Sequence, residues 1–139
     1  MTRRSHTRVL IFINKSPILW LSKDQNTVEM GTFGSEFVAM RIPVELVKGL
    51  MYKIRMMVIE VDGPKNVFCD NESVVRNTTR PDSTLKKKHN AISYQRTREA
   101  HAAGIVQIAK EDGETNLADL FTKVLAGPCL RELAGRILW

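Results

Sequence analysis

The sequence lacks the features that mark secreted, membrane-spanning or disordered proteins. Two cysteines among 139 residues, Cys69 and Cys129, are too few for a disulfide framework or a cysteine zinc site. No apolar run approaches the roughly 20 residues that cross a bilayer, and the apolar stretch 9–13 is too short for a signal peptide. A hydrophobic content of 43% argues against disorder. These observations predict one intracellular domain, cytoplasmic or nuclear, with no membrane partner.

Positive charge is in excess and is unevenly distributed. The chain has 21 Lys and Arg against 15 Asp and Glu, a formal net charge of +6. Residues 1–23 and 76–98 are strongly basic, whereas 110–119 is acidic. Basic segments around a local acidic group favour a protein that holds phosphates and a metal together. The alternative is that the charges form solvated helix faces and loops.

Apolar periodicity and turn residues predict an α/β fold. β-branched runs separated by Asn, Gly and Pro indicate strands, and apolar residues at helical spacing indicate helices. The predicted elements are a hairpin over 7–22, a helix over about 32–57, a strand over 66–70, a helix over about 86–101, a strand over 105–109 and a helix over about 116–126.

Two local features refine this prediction. Pro43 falls inside the first helix, where it removes one backbone hydrogen bond, so we expect a kink or break there. The strand around 67–69 is continuously apolar, which predicts burial on both of its faces.

Three carboxylates occupy positions where α/β proteins gather functional groups. Glu36 lies in the first turns of the first long helix, Asp70 ends a strand, and Asp119 begins a late helix. Three converging carboxylates would bind hard cations such as Mg²⁺. Each also has a structural alternative. Glu36 would complement the helix dipole, Asp70 with Asn71 would cap a helix, and Asp119 would complete a capping-box-like pattern after Asn116.

Five sequence blocks, in the same order and covering nearly the whole chain, resemble the RNase H domain of copia-type retrotransposon Pol polyproteins. The blocks are Arg3-Arg4-Ser5-His6-Thr7 with the hairpin that ends in 20–28, Ser35-Glu36-Phe37-Val38-Ala39-Met40, Phe68-Cys69-Asp70-Asn71, Lys88-His89-Asn90-Ala91-Ile92 and Leu117-Ala118-Asp119-Leu120-Phe121-Thr122-Lys123.

The resemblance implies an RNase H-like mixed sheet with flanking helices. It implies that Glu36, Asp70 and Asp119 converge as catalytic carboxylates that bind two Mg²⁺ ions and hydrolyse the RNA strand of an RNA–DNA hybrid. The basic residues expected to hold the nucleic-acid backbones are Lys86, Lys87, Lys88 and Arg96. The implied partners are a hybrid or another nucleic acid, and an upstream reverse transcriptase polypeptide.

The sequence departs from the family pattern at its start. The family's first catalytic aspartate lies on a central strand before the Arg-Arg-Ser block, and no residue here matches it. The stretch 110–114 also lacks the histidine that cellular RNases H carry there. We therefore predict a truncated domain, inactive alone, in which the strands over 9–13 and 67–69 face an open gap rather than pairing with each other. The alternatives are a nuclease completed by an upstream polypeptide, a nucleic-acid-binding remnant without catalysis, and an inert transposon relic.

Overall fold

A computed structural model describes residues 6–25, 32–84, 91–121 and 126–137 and confirms the α/β class. The chain divides into two compact units, which are described separately below. One comprises Met1–Val28 and Glu111–Trp139, and the other is Glu29–Lys110. The prediction of a single domain over 1–139 remains a prediction. Several residues named above lie outside the described ranges, namely Arg3, Arg4, Ser5, Lys86, Lys87, Lys88, His89, Asn90, Thr122 and Lys123.

An antiparallel hairpin forms the first part of the divided unit. Strand β1, His6–Ile13, pairs with strand β2, Ser16–Asp24. The connection is a two-residue turn, Asn14 and Lys15, and Pro17 pairs with Phe12 inside the hairpin. Asn14 takes a positive φ of 54° in this turn, a conformation that Asn tolerates better than most residues.

Two short helical elements complete this unit. Residues Leu117–Phe121 form a 3-10 helix, and Gly127–Gly135 forms an α-helix, named α4 below. The predicted late helix over 116–126 is therefore a 3-10 helix over its described part, since 122–125 lie outside the description. Asn116 begins it as predicted, because its Oδ1 accepts a hydrogen bond of 3.1 Å from the N–H of Ala118.

The second unit is built on a parallel strand pair. Its elements are α1 Thr32–Met56, β3 Lys65–Cys69, α2 Glu72–Thr79, α3 Ala91–Ala102 and β4 Val106–Lys110. Strands β3 and β4 pair in parallel, with Val67 opposite Ile108. A parallel pair needs a long crossover, and here it contains α2 and α3. The core of this unit is formed by the buried residues Phe37, Met40, Val44, Val67, Val74, Tyr94, Ala100, Val106 and Ile108.

Helix α1 runs through Pro43 without the predicted break. Proline costs a helix interior about 3 kcal/mol, because it removes a hydrogen bond and crowds the preceding turn. Phe37 and Val44 are each no more than 1% exposed on either side of Pro43, and full burial of such side chains contributes roughly 1.5–3 kcal/mol each. Tertiary packing on both sides of the proline therefore outweighs its local cost.

The β3 strand is buried on one face only, so the prediction of burial on both faces is wrong. Val67 is 7% exposed, whereas Phe68, which points to the opposite face, is 58% exposed. A continuous apolar run of three residues could not distinguish these cases. Burial alternates along β3 because the helices pack on the Val67 side only.

The described strands form two separate two-stranded sheets, β1 with β2 and β3 with β4. The expected open gap between the strands over 9–13 and 67–69 stays a prediction. The order of elements is compatible with an RNase H-like fold that lacks a first strand. None of the helices in the described ranges is both long enough and apolar enough to span a bilayer.

A strained residue after α1 gives a direct test of this backbone. Val58 has a φ of +62° and is 94% exposed. A β-branched residue in this left-handed region costs roughly 1–2 kcal/mol and gains nothing here from burial. We therefore expect Val58→Gly to raise the free energy of unfolding by about 1 kcal/mol in urea titrations.

The matched control is Asn14→Gly, at the other non-glycine residue with a positive φ in the described ranges. Asn already tolerates this conformation, so we expect a change of only a few tenths of a kcal/mol. A loss of stability in Val58→Gly would contradict the left-handed conformation assigned to residue 58.

Candidate functional site

Two of the three predicted carboxylates come together in the second unit. Asp70 directly follows β3 and is exposed, and Glu36 lies in the second turn of α1 and is half-buried. The two side chains are close enough for the charge of Asp70 to act on Glu36. Glu36 lies beyond the first turn of α1, and the effect of the helix dipole falls off within that turn. This position weakens the alternative in which Glu36 only complements the dipole.

The side chain of Asn71 fixes this arrangement. Its Nδ2 donates a short hydrogen bond to Oε2 of Glu36. Its Oδ1 accepts a hydrogen bond of 3.1 Å from the N–H of Val74, which caps α2. One amide therefore joins the end of β3, the start of α2 and the side of α1. The capping alternative for the Asp70-Asn71 pair is confirmed for Asn71.

Burial and like charge set the electrostatics of this pair. Desolvation raises the pKa of Glu36 above its ordinary value of 4.5, and the negative charge of Asp70 raises it further. Burial also raises the pKa of the neighbouring Cys69 thiol to about 11, against the lowering effect of a hydrogen bond from the Asn71 N–H. Cys69 is therefore a neutral thiol at neutral pH.

Asp119, the third predicted carboxylate, lies in the other unit and has a different environment. It is 1% exposed, and its Oδ1 lies 3.2 Å from Nη2 of Arg8 on β1. Breaking a buried ion pair by removing one partner costs about 3–5 kcal/mol, because the remaining charge stays buried. This pair therefore holds the 3-10 helix against the hairpin. Nothing in the sequence around Arg8 indicated it as the partner of Asp119.

The donor set fits a hard cation only in part. Glu36 and Asp70 offer carboxylate oxygens whose mutual repulsion a Mg²⁺ ion would relieve. Asp119 is engaged with Arg8. Within the described part of each unit, no group of three or more His, Cys, Asp or Glu side chains is arranged to hold a metal ion. The convergence of Glu36, Asp70 and Asp119 stays a prediction.

Of the four residues predicted to bind nucleic acid, Arg96 is the one that falls in the described ranges. It is exposed on α3 and lines an open cavity of about 520 Å³ with Ala91, Ile92, Gln95 and Glu99. Glu99 lies one turn from Arg96 on the same helix, so its charge offsets part of the local positive potential. Its role in nucleic-acid binding stays a prediction.

Two curated proteins are similar to this chain over most of its length. The retrovirus-related Pol polyprotein from transposon RE1 of Arabidopsis thaliana is 23% identical over 128 residues, which are 92% of this chain and 9% of that protein. The corresponding polyprotein from transposon RE2 of the same plant is 21% identical over 128 residues, with the same coverage. This chain is a weak homologue of transposon Pol polyproteins.

The chain spans about 9% of the length of these relatives, so the similarity concerns one small segment of a much larger polyprotein. No protein-family model matches the chain, and no solved structure matches it. The similarity supports the retrotransposon origin that the sequence blocks implied, without identifying the RNase H domain.

The Glu36–Asp70 contact predicts a pH-dependent loss of stability. Because the pKa of Glu36 is raised, the folded state holds this proton to a higher pH than the unfolded chain does. The Glu36 contribution to stability therefore falls as pH rises from 4.5 through the folded pKa, and is unchanged below that window. In Asp70→Asn, we expect a lower Glu36 pKa and a smaller loss, measured by carboxyl-carbon NMR titration and urea unfolding across this range.

The control is Asp62→Asn, because Asp62 is exposed and precedes the opposite end of β3, about 20 Å from Asp70 along the strand direction. It should leave the titration of Glu36 unchanged. An unchanged Glu36 pKa in Asp70→Asn would contradict the interaction between the two carboxylates.

Proposed function

We propose that this chain is a retrotransposon-derived segment that contributes part of an RNase H-type site, acting on the RNA strand of RNA–DNA hybrids. The observation that carries the proposal is the Glu36–Asp70 pair, held by Asn71 at the carboxyl end of a parallel strand. The carboxyl ends of parallel strands are where α/β sheets place their ligand sites. Weak similarity to transposon Pol polyproteins over 92% of the chain supports the same origin.

Glu36 and Asp70 would hold Mg²⁺, and Asp119 is the third ligand that the resemblance implies. When bound, such ions orient the attacking water and stabilise the leaving oxygen of a phosphodiester. The chain's own contribution is placement. Asn71 fixes the Glu36 carboxylate against α2, and Asp70 lies beside it at the exposed end of β3. For Asp119 to act as a ligand, its ion pair with Arg8 would have to open.

A second candidate is nucleic-acid binding without cleavage. The observation that favours it is the state of Asp119, which is 1% exposed and ion-paired with Arg8. Under this alternative, Asp119 is purely structural. Backbone contacts would come from basic residues, for which we propose Lys86, Lys87, Lys88 and Arg96.

The proposed metal site can be tested without measuring activity. We expect Mn²⁺, a paramagnetic substitute for Mg²⁺, to broaden the NMR signals of Glu36, Asp70 and the Asn71 side-chain amide first. The isosteric variants Glu36→Gln and Asp70→Asn should each weaken this broadening, because each removes one anionic oxygen ligand.

Asp62→Asn is the matched control, since it removes one exposed acid at the other end of β3 and should leave the broadening intact. Preferential broadening around Asp62, or equal broadening at all exposed acids, would refute the proposed site.

The 139-residue chain alone should leave an RNA–DNA hybrid uncleaved in Mg²⁺. The Glu36–Asp70 pair supplies two ligands, Asp119 is occupied by Arg8, and a misplaced nucleophile can cost about 100-fold in rate. The measurement is gel analysis of a labelled hybrid at high protein concentration. Cleavage that disappears in Asp70→Asn would overturn this expectation and show that the chain is an active nuclease by itself.

A further inference from the structure

We propose that a concavity between α2 and the turn after it binds a phosphate group of a nucleic-acid backbone. It has a volume of about 590 Å³ and lies within the unit Glu29–Lys110. Every lining residue is polar: Ser73, Arg76, Asn77, Arg80, Asp82, Ser83 and Thr84. None of them belongs to the carboxylate pair, so the inference rests on the proposed function only for the identity of the polymer.

The sequence places four of the seven lining residues on one face of α2 and its C-cap, Arg80. Ser73, Arg76, Asn77 and Arg80 follow the spacing i, i+3, i+4 and i+7, which brings side chains to the same side of a helix. This face carries no apolar residue, so it is not a packing surface. The opposite side supplies the buried Val74 and Thr78.

Two arginines give the concavity its affinity for an anion. Arg76 and Arg80 are both exposed, and within the described ranges neither guanidinium has an ion pair or a hydrogen bond. A guanidinium offers planar donors that match two phosphate oxygens at once. With Asp82 in the same lining, the local charge is two positive minus one negative, or +1. Exposed Asp82 can turn toward water when an anion enters.

The wall of the concavity is fixed before any ligand arrives. The Asn77 amide donates to the Ser73 carbonyl at 2.6 Å, and the Ser83 hydroxyl donates to Oδ1 of Asn77 at 2.5 Å. Arg98 on α3 donates to the carbonyls of Pro81 and Ser83, both at 2.9 Å. A preorganised site loses less conformational freedom on binding. Arg98 is therefore a positioning residue, since its own donors are occupied by the turn.

Arg98 offsets part of the negative end of the α2 dipole, which by itself would disfavour an anion. The hydroxyls of Thr78 and Thr79 donate to the mid-helix carbonyls of Val74 and Val75, at 2.8 and 2.9 Å, and leave the last carbonyls of α2 to other donors. Arg98 donates to the Asn77 carbonyl at 3.3 Å and brings a positive charge to the same helix end.

The competing explanation is that Arg76 and Arg80 only complement the α2 dipole. Hybrid binding by the full 139-residue chain, measured by fluorescence anisotropy in EDTA over a range of salt, separates the two roles. We expect the double variant Arg76→Gln with Arg80→Gln to lower the magnitude of the slope of log affinity against log salt by about 0.9, the value for one lost phosphate contact. The charge-matched control, Lys53→Gln with Arg55→Gln in the last turn of α1, should keep the original slope.

Equal slopes for the two double variants would overturn the proposal, because the binding would then reflect net charge alone. A lower urea midpoint for the α2 variant with an unchanged salt slope would overturn it in favour of the dipole role. Because EDTA removes metal, hybrid binding in this assay does not depend on the proposed metal site. The phosphate site therefore survives if the proposed metal site fails.

Inorganic phosphate distinguishes the source of the anion. The side-chain N–H signals of Arg76 and Arg80 should shift with micromolar hybrid and only with far higher inorganic phosphate, because a polymer makes several contacts at once. Saturation by low inorganic phosphate with no response to hybrid would identify a free-phosphate site and refute the backbone assignment.

Discussion

The amide of Asn71 is the contact on which the second unit depends. It donates to Glu36 on α1, accepts from Val74 at the start of α2, and directly follows Asp70 at the end of β3. Burial removes part of the water around the Glu36 carboxylate, which costs free energy unless a hydrogen bond replaces that water. The Asn71 amide donates this hydrogen bond to Glu36, and its oxygen accepts from one of the backbone N–H groups that the start of a helix leaves unpaired. Replacing Asn71 would therefore remove both the hydrogen bond to α1 and the cap of α2.

This constraint also determines which face of α2 is free. Once Asn71 begins the helix, the 3.6-residue repeat buries Val74 and Thr78 and turns Arg76 and Arg80 outward. The start of α2 at Asn71 thus determines both the position of the carboxylate pair at one end of the helix and the position of the basic concavity at the other end. Under the proposed function, the acidic start of α2 would hold a cation and the basic concavity at its end would hold a phosphate group, and a metal-dependent reaction on a nucleic-acid backbone uses both.

Sequence reasoning succeeded where a local pattern carried the information. The hairpin, the Asn116 helix start and the buried face of α1 follow from turn chemistry and helical spacing, which do not require knowledge of distant residues. It failed where packing decided the outcome. Phe68 is exposed because helices cover only one face of β3, and α1 continues through Pro43 because buried side chains flank it. The partnership of Arg8 with Asp119 joins residues 111 positions apart, and no local signal predicts such a pair.

The carboxylates differ in how much of their negative charge the chain itself compensates. Asp119 is neutralised by a guanidinium at 3.2 Å, so a cation arriving there would have to displace a partner already present. Glu36 has a neutral amide as its hydrogen-bond donor and a second carboxylate nearby, so its charge is solvated by the protein but not cancelled. Burial raises the pKa of Glu36 most, and the negative charge of Asp70 raises it further. A cation at Asp119 would have to replace the attraction of Arg8, whereas at Glu36 it would relieve the repulsion from Asp70. This difference is why the Glu36–Asp70 pair, rather than Asp119, carries the proposed site.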